Sequence, residues 1–439
     1  MSKIRIIDNL NPEDNAMLQA LYSRSAESVD NHLEKVKKAG SGKFMTQYYV
    51  GYGHKSIADC GSTTVFLENV SLLTAKAVQD SPMYSGQETS TRYIDMANQR
   101  IIDPVDSEAS KAILQKWMAF YTGKQERVAE IIRERHPIQE GEKPDVYEKA
   151  VKARTFDVLR GFLPAGITTQ LSWHTNLRQA GDRLEWLSRH PSPEIRNRAR
   201  SLVFDLSQKY PSSGFGKVVA SGSGVGTDQE AEERERWKAA VAQNYMYPAQ
   251  KRSPFFKTTV DNKELARYEN MLATRPKGCE LPHFLADLGQ CSFNFLLDFG
   301  SHRDIQRHRN GVCRMPILST LYGFEPWYLE QFDDALRAEA ESLILEQTLA
   351  TDEVCEDPVL CQYYLALGFR VPTQVTYALP AAVYVMELRS GKVVHPSLRR
   401  KVQEMIQAFS DAHPTVRLHV DTSPDDWTVR RGTQTITEK

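Results

Sequence analysis

The sequence predicts an α/β chain built from two successive units of about 200 residues each. Three observations carry this expectation. The chain has 439 residues, more than one ordinary core accommodates. A stretch rich in Gly and Ser, Ser212 to Thr227 (SSGFGKVVASGSGVGT), interrupts it near the middle. Such a composition does not readily hold a regular element. On either side the same order of segments recurs faintly, which is the mark of an internal repeat. The expected division is therefore residues 1–220 and 228–439.

The elements follow in order. GHKSIAD, Gly53 to Asp59, faces PHFLAD, Pro282 to Asp287. After each comes an alternating apolar run, TTVFLENV from Thr63 to Val70 and SFNFLLDF from Ser292 to Phe299. Period-two alternation rich in Val and Phe predicts strands with one buried face. A short helix is expected after each, ending at Asp80-Ser81-Pro82 in the first half and Arg307-His308-Arg309 in the second. The first half then carries a helical insertion from about Ser107 to Lys152 by pattern. LPAGITTQLSWHTNLR, Leu163 to Arg178, faces FRVPTQVTYALP, Phe369 to Pro380. LSRH (Leu187 to His190) with PEIR (Pro193 to Arg196) faces MELRSGKVVH (Met386 to His395) with PSLR (Pro396 to Arg399). After the Gly/Ser-rich boundary, Asp228 to Gln243 has the composition of a charged helix start.

Composition excludes some classes of function. A formal net charge of -1 argues against broad nucleic-acid binding, which needs a basic excess to neutralise phosphates. It leaves room for a local cationic pocket that holds one nucleotide. No apolar run approaches the ~20 residues of a membrane span. Charges inside MSKIRIIDNLNPEDN leave no apolar region for a signal peptide. The six cysteines form no CxxC pair, and no Cys/His cluster has zinc-ligand spacing. Reduced thiols in a cytoplasmic protein are the simple expectation, with no metal. No GxGxxG or Walker-type loop supports a Rossmann or NTPase fold.

Two short motifs carry chemistry. In S85-G-Q-E-T-S-T-R-Y93, Ser90 and Arg92 are two apart, which in an extended segment puts both on one face with Glu88. A hydroxyl beside a guanidinium grips phosphate, because Arg offers a planar fork of donors. Glu88 there suits a ribose or base donor. Taken alone, so short a string is more often a polar loop. The second motif is R307-H-R309, with Arg303 one helical turn earlier. Such a run is usually a solvated face, yet here it follows a buried strand, where it would repel itself unless it met an anion.

Together these motifs resemble the two ends of one signature, R-H-R followed by S-x-N-E-x-S-x-R-Y, that of the flavin-dependent thymidylate synthases. In that family one continuous segment carries it. Here each half of the chain holds what the other lacks. The resemblance implies an antiparallel sheet flanked by helices, present as two tandem copies packed as a pseudo-dimer. It implies FAD as cofactor, with NADPH and methylenetetrahydrofolate as co-substrates, and dUMP or a related nucleotide methylated at C5. Nucleotide contacts would fall to Glu88, Ser90, Arg92, Arg160, Arg307 and Arg389, with Arg307 and Glu88 nearest the chemistry. Flavin contacts would fall to His54, Ser56, Asn176, Arg178, Asp182, His190, His308 and Arg309.

Some positions depart from the family pattern. Asp304 stands where the family has a nucleotide-contacting Gln, and Asp182 where an Asn is usual. These departures keep open a different pyrimidine nucleotide as substrate, or a non-catalytic protein that binds flavin or nucleotide. His54 or His190 alone would more often be a core or capping histidine. The family's tetramer implies a homodimer of this longer chain, with no nucleic-acid or membrane partner.

Overall fold

The computed structural model describes residues 4–219, 228–245 and 253–424. It is a mixture of helices and antiparallel sheet, as the sequence predicts. In chain order the main elements are α1 (Pro12–Tyr22), α2 (Val29–Ala39), β1 (Ser62–Ser71), α3 (Leu72–Gln79), α4 (Glu108–Gly123), α5 (Gln125–Arg135) and α6 (Pro144–Leu159). Then come β2 (Thr168–Asn176), α7 (Leu177–Leu187), α8 (Pro193–Lys209), α9 (Asp228–Tyr245), β3 (Phe256–Thr258), β4 (Gln290–Asp298) and α10 (Phe299–Ile305). The chain continues through β5 (Val312–Cys313), α11 (Asp334–Val354), β6 (Arg370–Ala378), α12 (Leu379–Arg389) and α13 (Pro396–Ala412). Both alternating runs are strands, each followed by a short helix, and the insertion is α4 to α6. No helix among the described residues is long and apolar enough to cross a membrane.

The chain forms two compact units whose segments interleave in sequence. The first holds Met1–Glu68, Ala77–Glu88 and Gln170–Met246; the second holds Asn69–Lys76, Thr89–Thr169 and Tyr247–Lys439. In the first unit, Asn11 caps α1 through Asp14 N, and Pro12 sits in the first turn, where its missing N–H costs nothing. Met17 and Leu18 of α1 pack on Val36 of α2, while Ala16 and Ala20 pack on Met45 and Ile57. Leu177, Ala180, Leu184 and Leu187 line one face of α7, the i, i+3, i+7 spacing of an amphipathic helix. Much of the Gly/Ser-rich stretch, residues 220–227, lies outside the described residues.

The second unit is built on a four-stranded antiparallel sheet ordered β3-β4-β6-β5. β4 and β6 pair along nine residues, from Gln290 opposite Ala378 to Asp298 opposite Arg370. Cys291, Phe293, Phe295 and Leu297 alternate into the core, as period two requires. Leu379, Ala382, Val383 and Met386 of α12 and Leu398, Val402 and Phe409 of α13 belong to the same core cluster. A second cluster joins α4, α5 and α6 through Trp117, Phe120, Ile132 and Val158 to Trp327, Phe332 and Phe369.

The faint sequence repeat is plain in the elements. A 3-10 turn (Arg160–Phe162), the nine-residue β2, the 11-residue α7 and the 17-residue α8 are matched by a 3-10 turn (Gln362–Tyr364) and β6, α12 and α13 of the same lengths. Inside the second unit the two turns pair by reciprocal hydrogen bonds. Ala165 N donates to Leu365 O and Leu367 N to Leu163 O, at 2.8 and 2.9 Å. Gly166 N donates to Tyr363 O and Gly368 N to Gly161 O, at 3.0 and 2.7 Å. In the shared numbering of the repeat, each bond is the mate of the other in its pair. That self-complementarity is the geometry of a twofold contact.

Candidate functional site

Four arginines from distant parts of the sequence converge in the second unit. Arg92 lies in the turn that follows Ser90, Arg160 opens the 3-10 turn after α6, Arg307 follows α10, and Arg389 ends α12. Each sits at or beyond the end of a regular element, where a long side chain can be aimed independently of the core. Their common partner is Asp304, near the C-terminal end of α10. Burial pushes the Asp304 carboxyl up, but Arg307, Arg160, Arg92 and Arg389 together outweigh it and hold the group well below the usual carboxylate range.

The contacts are specific. Asp304 Oδ2 lies 3.5 Å from Arg160 Nη1, and Oδ1 lies 4.0 Å from Arg307 Nη1. Arg389 Nη2 donates to the Asp304 carbonyl at 3.0 Å, and Arg389 Nε donates to His308 Nε2 at 2.6 Å. With that nitrogen accepting, a neutral His308 carries its proton on Nδ1. Burial, aided by Arg389, pushes His308 down to about 3, so it is neutral at physiological pH. Arg92 donates twice to Asp157, Nε to Oδ1 at 2.6 Å and Nη2 to Oδ2 at 3.1 Å, and Nη1 donates to Val393 O at 3.1 Å.

Beneath the arginines runs a buried polar network that the sequence did not announce. Arg160 Nη2 donates to Ser301 Oγ at 2.8 Å. Asp298 caps α10 by accepting from Ser301 N at 2.8 Å, and it also accepts from Tyr328 OH at 2.8 Å and Ser397 Oγ at 2.5 Å. His395 Nδ1 lies 2.8 Å from Ser397 Oγ, and burial together with Arg160 holds this imidazole well below its ordinary pKa. The signals were present: Asp298 ends a strand just before a helix, the N-cap pattern, and Asp157 lies three residues before Arg160. Neither signal names its partner.

Two expectations about the motifs need correction. The stretch from Ser85 is extended only as far as Glu88, which bridges to Leu171, and the chain turns after Ser90. Ser90 Oγ accepts from the Arg92 backbone N at 3.3 Å, the local bond by which serine favours turns. Ser90 and Arg92 therefore do not share an extended face with Glu88. Glu88 belongs to the first unit, where it accepts from Gln79 Nε2 at 3.0 Å. Among the described residues Arg307 faces the carboxylate of Asp304, and His308, neutral by burial, adds no charge.

The remaining candidates lie in the first unit, apart from Arg309, whose guanidinium bonds to Arg307 O at 3.3 Å. Arg178 Nε donates to Asp59 at 2.7 Å and Nη1 to Asp182 at 3.3 Å. Asn176 caps α7 by accepting from Gln179 N at 2.8 Å. His190 is buried, accepts from Ser192 N through Nδ1 at 3.1 Å, and is pushed by burial down to about 3. His54 and Ser56 are exposed, with the His54 ring 6.3 Å from that of Tyr52. Among the described residues no group of three or more His, Cys, Asp or Glu could hold a metal ion.

The chain is similar to known proteins over most of its length. The chain is 22% identical to the UPF0159 protein Ta1429 of Thermoplasma acidophilum over 92% of this chain and 94% of that protein. A UPF0159 protein of Chlamydia pneumoniae is 21% identical over 87% of this chain and 80% of its own length. One of Chlamydia muridarum is 22% identical over 83% and 78%. Residues 5–212 match the family described as thymidylate synthase complementing protein, and it is to that family that this segment of the chain is similar.

Proposed function

We propose that the chain methylates a uridine nucleotide at C5, dUMP to dTMP, using methylenetetrahydrofolate and a reduced nicotinamide, through FAD, at one composite site per chain. The observation that carries this reading is the convergence of Arg92 and Arg160 from one half of the sequence with Arg307 and Arg389 from the other around Asp304. An arginine cluster of this kind suits a phosphorylated ligand, since guanidinium forks match phosphate oxygens.

The residues present fit a flavin in their donor chemistry. His308 has its Nδ1–H to offer, because its Nε2 already accepts from Arg389. In the second unit Arg309, and in the first Arg178, are cationic donors of the kind that suits a pyrophosphate or a reduced ring. When bound, FAD supplies the reducing equivalent. The chain's part is electrostatic: the cations bind the nucleotide and polarise its ring, charge fixed in place before the reaction begins. No cysteine is needed in this scheme, and burial raises the thiols of Cys60 and Cys291 above their ordinary pKa.

The direct test is the FAD content of the purified full-length chain, with and without dUMP, followed by the methylation assay. About one FAD per chain, with a spectrum that changes on adding dUMP, supports one composite site. Two per chain means that a second pocket works. No flavin after reconstitution favours a non-catalytic nucleotide-binding protein. Arg307→Ala should weaken dUMP binding, by up to about tenfold where no carboxylate contests the contact and by less where one does.

A further inference from the structure

We propose that Asp304 is an internal competitor for the phosphate of the ligand, so that this site discriminates weakly between a nucleotide and its nucleoside. The inference rests on the nucleotide reading above and concerns the charge class that the pocket accepts.

The argument begins with the charges. Four guanidinium groups face Asp304, an array that by itself would bind a phosphate monoester strongly. Each of the inner two already has a carboxylate. Arg92 is clamped from two nitrogens by Asp157, whose side chain is wholly inaccessible. Arg160 lies 3.8 Å from the buried Asp298 and 3.5 Å from Asp304. Among the described residues, Asp157, Asp298 and Asp304 thus already occupy part of this array. A phosphate monoester brings about −1.5 to −2 more at neutral pH. It gains the full set of guanidinium contacts only where one of these carboxylates gives way.

Only Asp304 is placed to do so. Asp157 and Asp298 are buried and hold several bonds each, and a buried charge stripped of its partner is strongly destabilising. Asp304 is 16% exposed, and its contacts to Arg160 and Arg307, at 3.5 and 4.0 Å, are longer than a tight ion pair. Its backbone carbonyl, not its carboxylate, holds Arg389. The side chain can therefore be displaced without unpicking the network. It lies among the arginines, and an incoming phosphate must compete with it.

The test is calorimetric titration of the full-length chain with dUMP and with deoxyuridine, for the wild type, Asp304→Asn and Asp304→Glu. The wild type should favour dUMP by less than about tenfold, where two uncontested charge-assisted contacts would give roughly a hundredfold or more. Asp304→Asn, similar in size and uncharged, should bind dUMP about tenfold tighter and leave deoxyuridine within about twofold. Asp304→Glu keeps the charge and should keep the wild-type ratio. A wild-type preference of a hundredfold or more overturns the inference even if Asp304→Asn does not fold. So does an Asp304→Asn protein, folded by its melting curve, that binds dUMP no better. If none of the three proteins binds either ligand, the nucleotide reading itself fails and this one falls with it.

Discussion

The pairing of Arg92 with Asp157 should behave as one thermodynamic unit. Asp157 is fully buried and Arg92 nearly so, and the fork makes two charge-assisted bonds of 2.6 and 3.1 Å. A bond to a charged partner contributes about 1.5–3 kcal/mol. Replacing Asp157 by Asn keeps the shape and one acceptor but removes the charge, so a loss of about 2–4 kcal/mol is expected. Arg92→Met strands the carboxylate instead and should cost about 3–5 kcal/mol, because an uncompensated buried charge is worse than a lost contact. The double variant, Arg92→Met with Asp157→Leu, removes both charges and leaves neither one unpaired. It should recover most of the loss, leaving a coupling energy of at least about 2 kcal/mol. Urea denaturation of all four proteins, read as a double-mutant cycle, supplies the number. A coupling below about 0.5 kcal/mol, the level of unconnected sites, would refute the reasoning. It would mean that Arg92 is held by Val393 O alone and is free to swing toward a ligand.

Three further outcomes can be checked. Burial pushes His302 down to about 3, so between roughly pH 6.5 and 3 the unfolded chain takes up a proton that the folded one refuses, and stability falls as pH falls. His302→Asn should reduce the slope of stability against pH between about pH 4 and 6 by roughly 1.4 kcal/mol per pH unit, and an unchanged slope refutes the assignment. Arg160→Lys offers one ammonium where the structure has a fork reaching Ser301, Tyr328 and Asp304, so denaturation should show a loss of about 2 kcal/mol or more despite the kept charge. Gly161→Ala would place a Cβ 2.8 Å from the Tyr328 ring, and overpacking of this kind costs about 1–3 kcal/mol in a melting experiment. A neutral result there would mean that Tyr328 can move without losing its bond to Asp298.

How much of this was legible depends on the range of the interaction. The two strands, the short helices after them and the insertion could be read because alternation and 3.6-residue periodicity are local. The identity of the clustered arginines was readable too, through the resemblance. Their partners were not. Arg92 and Asp157 are 65 residues apart, and no pattern in a single sequence says that this carboxylate rather than a ligand fills that fork. Ser90 was misplaced for the opposite reason, a short-range one. Its hydroxyl bonds two residues ahead and bends the chain before alternation can continue. Asp304 was visible as a departure from the family pattern, but its central position depends on four elements meeting.

The same contrast explains how two matching halves can differ so much in chemistry. The reciprocal bonds at Leu163, Ala165, Leu365 and Leu367 are made by backbone groups, which any sequence supplies, so they tolerate change in the side chains. The pocket is made by side chains and has no such tolerance. Asp80 follows α3 in the position that Arg307 occupies after α10, and Leu187 ends α7 where Arg389 ends α12. Gln79 keeps Glu88 as its acceptor, whereas its counterpart Gln306 is buried with neither side-chain atom partnered, and Met315 stands at the position matching Glu88. The two halves thus place the same amide in different polar surroundings. The twofold scaffold and the one-sided charge cluster are thus compatible: the first rests on groups that substitution cannot alter, and the second on groups that it can.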